Sequence, residues 1–192
     1  DKLMTLEQQL MNSAKQQVLK ILSSLDVKKN FDVVRFNSSP AISIAAYLSR
    51  FEKYINRFYS LSPDSVDSYQ LFSSLYVLIL IYLQRLLQIP RIDKIHAIGP
   101  HRVFMILINF ALKTLVDNHN YNKYMSKISG VGLKEYNHLE FELILLINFN
   151  LHVSEETFKR SKNFLLPAEN LQEDAAASCS ASFAAACKVS MA

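Results

Sequence analysis

The run Val103–Leu112, "VFMILINFAL", limits the fold of this chain more than any other stretch. Wound as an α-helix, it carries apolar side chains almost all the way round, whereas a helix lying on a surface shows a single apolar stripe. It therefore needs neighbours on every side. Followed to Asp117, its polar exceptions are Asn109, Lys113 and Asp117. They are four residues apart and share one stripe of the helix.

The rest of the chain offers the neighbours. Residues 3–25 place Leu3, Leu6, Leu10, Ala14, Val18, Leu22 and Leu25 at helical spacing, with a polar back. In "NSSPAIS" Ser39 suits a helix cap and Pro40 the first helical position, opening a helix through "ISIAAYLSRFEKYINRFY". "LSPDS" repeats the device, with Ser62 as cap, Pro63 in the first turn and Asp64 at the positive helix end. That helix runs to about Gln88, where "IP" breaks it, and Pro100 starts the central one. A short helix "YNKYMSKIS" ends at Gly130, "GLKEYNHLEFELILLIN" follows, and Ser154 caps "SEETFKRSKNFL".

Nothing between these segments alternates as a strand does, and the chain holds only 3 Gly, few for a turn-rich β fold. The expected class is all-α: five core helices around a central buried helix, with an added N-terminal helix and a C-terminal helical extension. The segments are an N-terminal amphipathic helix at 1–30, the helical core at 38–152, a C-terminal helix at 153–168 and an Ala/Ser-rich tail at 169–192.

Several function classes are set aside at this level. The longest uncharged run, Ser68 to Gln84, holds serines, tyrosines and glutamines, and it falls short of the about 20 apolar residues of a membrane span. The opening "DKLMTLEQQLMNSAKQQ" is too polar for a signal peptide. The net charge of +4 comes from scattered residues with no basic block beyond "KK", so no nucleic-acid partner is expected. The two cysteines, Cys179 and Cys187, both lie in the tail, which suits a reducing compartment. A soluble intracellular protein of nucleus or cytoplasm, monomeric when free, is the expectation. The five histidines show no metal-ligand spacing, and no phosphate loop, nucleophile elbow or dinucleotide fingerprint is present. No catalytic residue, metal or cofactor is expected.

Lys113 and Glu140 pose the sharper question, because each sits beside a long apolar run. A buried unpaired charge costs several kcal/mol. Either the two pair with each other, or they are solvated on helix faces, or they form a recognition site that grips a partner's backbone. In the last case charged ends would orient a partner on an apolar patch.

Several separate spacings now agree with one family. "PAISIAAYL" (Pro40–Leu48), His101–Arg102, Ala111–Lys113, Asp117–Lys127, Gly130–Gly132, Glu135–Glu140 and Ile147–Leu151 together resemble the P/U-type cyclins, the family of the fungal phosphate-regulon cyclin and its protist relatives. The resemblance covers about residues 38–160. It implies a single cyclin box, no catalysis, and a regulatory subunit that binds and activates a cyclin-dependent protein kinase by docking its C-helix. By position Lys113 and Glu140 are the gripping pair, and Phe110, Thr114, Ile144, Phe149 and Leu151 are the apolar groove. Lys113→Ala and Glu140→Ala are then each expected to weaken kinase binding with little loss of stability. A cyclin-fold adaptor or scaffold without kinase activation is the alternative. An adaptor of the transcription-factor kind would want a second box and a continuous basic face, and neither is evident.

His101, Arg102 and Asp117 are expected as structural core residues, together with Arg50 and Gln84. The last pair departs from the family: "YLQR" has Gln84 where cyclins carry an aspartate that bonds a core arginine, here Arg50. A neutral amide accepts from Arg50 without neutralising it, so Glu52, Asp117 or water would take the remaining charge. On this view Gln84→Asp stabilises the fold by about 1 kcal/mol. Pro100 also stands where the family has valine or a similar residue, and "YNKYM" carries lysine in place of a second asparagine.

Overall fold

A computed structural model describes residues 2–26, 41–90, 92–116 and 121–166 of the chain. These form eight helices, and no strand occurs among the described residues: α1 (Lys2–Asp26), α2 (Ile44–Phe58), α3 (Val66–Leu87), α4 (Ile92–Ile98), α5 (Pro100–Leu115), α6 (Tyr121–Ser129), α7 (Leu133–Leu146) and α8 (Glu155–Leu165). The all-α expectation holds. The tail at 169–192, both cysteines and Asp117 lie outside the described residues.

The all-round apolar run becomes α5, the axis of the fold. It packs against α1, α2, α3, α4, α6 and α7. From Val103 to Leu112 every side chain is buried, Asn109 included. Gly99 caps this helix at φ 85, a left-handed conformation open to glycine, and Pro100 fills the first position. The stripe read in the first helix is also realised: Leu10, Ala14, Val18, Leu22 and Leu25 are buried, and α1 lies along α3 as part of the same core. α8 closes the other end, where Lys162 Nζ reaches the Glu7 carboxylate of α1 at 3.0 Å. α3 is apolar and long enough to cross a membrane, but 72% of its most apolar window is buried inside the fold.

Two cap assignments shift by a few residues. α2 starts at Ile44, and Ser43 accepts the Ala46 amide, while Ser39 and Pro40, expected to open this helix, lie outside the described residues. α3 starts at Val66, and Ser65 rather than Ser62 accepts the Ser68 amide. Ser62 instead closes a turn, its carbonyl accepting from the Ser65 amide at 3.0 Å. In both places a later serine stands directly before the first buried turn, and packing decides which serine caps. The short α4 between the two prolines was not anticipated.

Candidate functional site

Lys113 lies in the last turn of α5 and Glu140 in the middle of α7, and the two pair with each other at 2.5 Å. The pair belongs to a network. Glu140 Oε1 also accepts from Asn109 Nδ2 at 2.9 Å, and its Oε2 accepts from Asn122 Nδ2 at 2.6 Å. Asn122 of α6 donates as well to Asn137 and accepts from Asn109. Three helices thus hold one carboxylate in place. Asn109 and Asn122 went unassigned in the sequence reading. The signal available was the polar stripe on an otherwise apolar helix, because a buried amide needs partners.

The charges are unevenly placed. The Lys113 side chain is 39% exposed and that of Glu140 is 19% exposed. An ammonium has three donors, and one is used here. The rest of this half-exposed ammonium is open to solvent.

The apolar residues expected around the pair differ in their exposure. Phe110 is buried at 3% exposure and belongs to the core, so it does not line a groove. The residue one turn before Lys113 is inside because α5 is enclosed by its neighbouring helices. Thr114 is exposed, while Ile144 and Leu151 are partly buried and packed against the core. Phe149 is 64% exposed. Phe141 and Leu145, absent from the sequence-level groove, are 59% and 49% exposed on the outer side of α7.

Phe149 is held outward at a conformational cost. Asn148 and Phe149 have φ of 53 and 55, which for a bulky residue costs about 1 kcal/mol or more. Its neighbours secure the segment. Arg85 donates to the carbonyls of Asn150 at 2.6 Å and His152 at 2.9 Å, with its guanidinium 6.0 Å from the Tyr82 ring. Tyr82 donates to the Leu151 carbonyl at 3.1 Å and lies 3.1 Å from Thr114 Oγ1. Burial pushes the Tyr82 phenol above its ordinary pKa, so it stays a neutral donor.

The structural residues divide. His101 is buried and bonds the Ile42 carbonyl at 2.8 Å, with Tyr47 edge-on to its ring. Arg102 pairs with Glu135 at 3.3 Å. The expected Arg50–Gln84 contact is corrected: Gln84 is exposed on α3, and Arg50 lies along the Tyr54 ring at 5.9 Å. Nor does Glu52 neutralise Arg50. It takes the Tyr76 hydroxyl at 2.7 Å and Lys15 of α1 at 2.7 Å. Because α1 packs onto α2 and α3, its lysine supplies the cation of this core contact. No group of His, Cys, Asp or Glu able to hold a metal occurs among the described residues.

The comparisons with known proteins agree with this architecture. The family model for cyclins matches residues 4–151, from α1 to the segment after α7. Among curated proteins the chain is 30% identical over 128 residues to Cyclin-U4-1 of Arabidopsis thaliana, covering 67% of this chain and 56% of that one. It is 30% identical over 140 residues to Cyclin-U1-1 of the same plant, covering 73% and 60%. To Cyclin-P3-1 of Oryza sativa subsp. japonica it is 29% identical over 138 residues, covering 72% and 52%. The chain thus spans little more than half the length of these relatives. The all-helical core, the enclosed α5 and the family match together show that this chain belongs to the cyclins, a family of regulatory proteins, and within it to the P/U type.

Proposed function

We propose that this chain binds and activates a cyclin-dependent protein kinase, laying its α5–α7 face against the kinase's movable C-helix. The observation that carries this reading is the Lys113–Glu140 pair, fixed by Asn109 and Asn122, with Phe141 of the same helix and Phe149 of the segment after it exposed. Oriented charges beside apolar surface suit a helix presented with its backbone ends free. In a protein kinase the ion pair between the catalytic lysine and the C-helix glutamate must be in place for phosphoryl transfer. A surface that binds only the inward helix shifts that equilibrium by its differential affinity.

The test is copurification of a kinase with the tagged chain from its native cells, followed by a phosphorylation assay on the eluate. Lys113→Ala and Glu140→Ala each lower kinase capture by about 2–5 kcal/mol of binding free energy, because each removes one member of a desolvated charged contact. If no kinase copurifies, the reading fails. Capture of a kinase whose activity does not rise would support the scaffold alternative instead.

A further inference from the structure

Away from the α5–α7 face, α2 and α6 bring together cations that lie far apart in the sequence. Arg50, Lys53 and Arg57 are three and four residues apart on α2, so they share one face with Tyr54 and Phe58. Lys53 and Arg57 are exposed, and on α6 so are Lys123 and Lys127, on either side of Tyr124. The two helices are joined through rings: Phe58 lies 4.5 Å from Tyr124, and the Tyr124 hydroxyl donates to the Tyr54 carbonyl at 2.7 Å. Arg57 is close enough for its charge to act on the Tyr124 phenol.

This face has no described acid of its own. The nearby carboxylates are committed elsewhere, Glu52 to Lys15 and Glu135 to Arg102. No ion pair joins Arg50, Lys53, Arg57, Lys123 or Lys127 to a described carboxylate. The Arg50 Nε is sealed from solvent and has no acceptor among the described residues, so only the outer part of this guanidinium is open to a partner. Tyr54 and Phe58 remain 37% and 39% exposed between the cations.

We propose that the α2–α6 face is a docking surface for an Asp/Glu-rich peptide segment of a partner protein. Its carboxylates would meet Arg50, Lys53, Arg57 and Lys127, and one aromatic or aliphatic side chain would lie against Tyr54 and Phe58. Arg50 to Arg57 spans about 10 Å of helix, the length of about three extended residues. The scale is that of a short peptide. Single-stranded nucleic acid favours rings with free faces for stacking, but here the Phe58 ring is engaged by both Tyr59 and Tyr124.

The test is fluorescence anisotropy with a labelled peptide whose core is Glu-Asp-Glu-Phe-Glu-Asp. Controls are the same peptide with lysine at every acidic position, and oligothymidylate of equal length. The acidic peptide binds the full chain, and its affinity falls as salt is raised. It falls at least about tenfold in the double variant Arg50→Gln, Arg57→Gln, as expected for loss of two charged contacts. Should that variant melt early, Lys53→Gln with Arg57→Gln, both at exposed positions, gives the same reading. Lys113→Ala leaves peptide binding unchanged, which separates this face from the kinase-docking one. Absence of binding, full retention by the α2 variants, equal binding of the lysine peptide or tighter binding of oligothymidylate would each overturn the proposal.

Discussion

Two glutamates in this fold are built almost alike and do different work. Glu52 of α2 pairs with Lys15, and Glu140 of α7 pairs with Lys113. The two carboxylates are 18% and 19% exposed. Each takes at least one further bond from a buried residue, Tyr76 in the first case and Asn109 in the second. The difference is in the lysines. Lys15 is 19% exposed and Lys113 is 39% exposed. Lys15 comes from α1, which lies along the core, so the charge is used up inside the chain. Lys113 comes from the final turn of α5, and its outer side is open. The same pair of residue types is a clasp in one place and an oriented, half-free contact in the other.

The largest effect that tests this contrast is on the clasp. Glu52→Ala leaves the Lys15 ammonium and the Tyr76 hydroxyl without their acceptor, and costs about 3 kcal/mol, toward the low end for a buried pair because the site is partly hydrated. Urea denaturation of the purified chain measures it. A loss under about 1 kcal/mol would make Glu52 a surface residue in energetic terms, and the contrast would collapse.

Tyr76→Phe comes next, at about 2 kcal/mol near neutral pH, the worth of a hydrogen bond to a charged group. It also carries a pH signature. Burial, reinforced by the adjacent Glu52 carboxylate, raises the Tyr76 phenol well above its usual 10.0. Above about pH 10 the unfolded chain releases a proton that the folded chain retains, so stability falls as pH rises. The phenylalanine variant has no such proton. Its deficit therefore narrows between about pH 8 and about pH 11, and a constant deficit in denaturation midpoints across that range would contradict the buried, neutral phenol.

On the other side of the comparison the two ends separate. Glu140→Ala costs about 1.5 kcal/mol of stability, because the buried Asn109 amide loses an acceptor. Lys113→Ala costs about 0.5 kcal/mol, the worth of an exposed pair. The sequence-level expectation of little loss for both is thus revised for Glu140 alone. Thermal melts of the two variants in parallel decide it, and equal losses would mean that the asparagines do not support the carboxylate.

What could be read in advance follows from which interactions are local. The central helix, the stripe of α1 and the end of α6 at Gly130 depend on periodicity and on backbone conformation, and both are written in neighbouring residues. Lys113 and Glu140 stood out through the family spacing and through charge set against apolar sequence, and their pairing with each other was one of the alternatives left open. The supporting amides were not legible, because Asn109 and Asn122 meet only when α5 and α6 are packed. "FELILLINF" is apolar apart from Glu142 and Asn148, so little in it says that Phe141 and Leu145 stay outside while Leu143 goes in. The basic face is hidden for the same reason, with its cations divided between α2 and α6.

The smallest effect concerns Gln84, where family analogy and structure part. By analogy Gln84→Asp gives Arg50 a carboxylate partner and raises stability by about 1 kcal/mol. In the fold Gln84 is exposed on α3, while Arg50 packs along Tyr54 on the face α2 shares with α6. An aspartate at 84 therefore meets water rather than the guanidinium. Exposed substitutions away from special features stay within about 0.5 kcal/mol, and the loss of a good helix former pushes the sign slightly downward. The expected melting temperature is unchanged or lower by a degree or so. A clear rise would mean that Arg50 reaches residue 84 in solution, and the arginine–aspartate contact that the family resemblance implies would then be available to this chain as well.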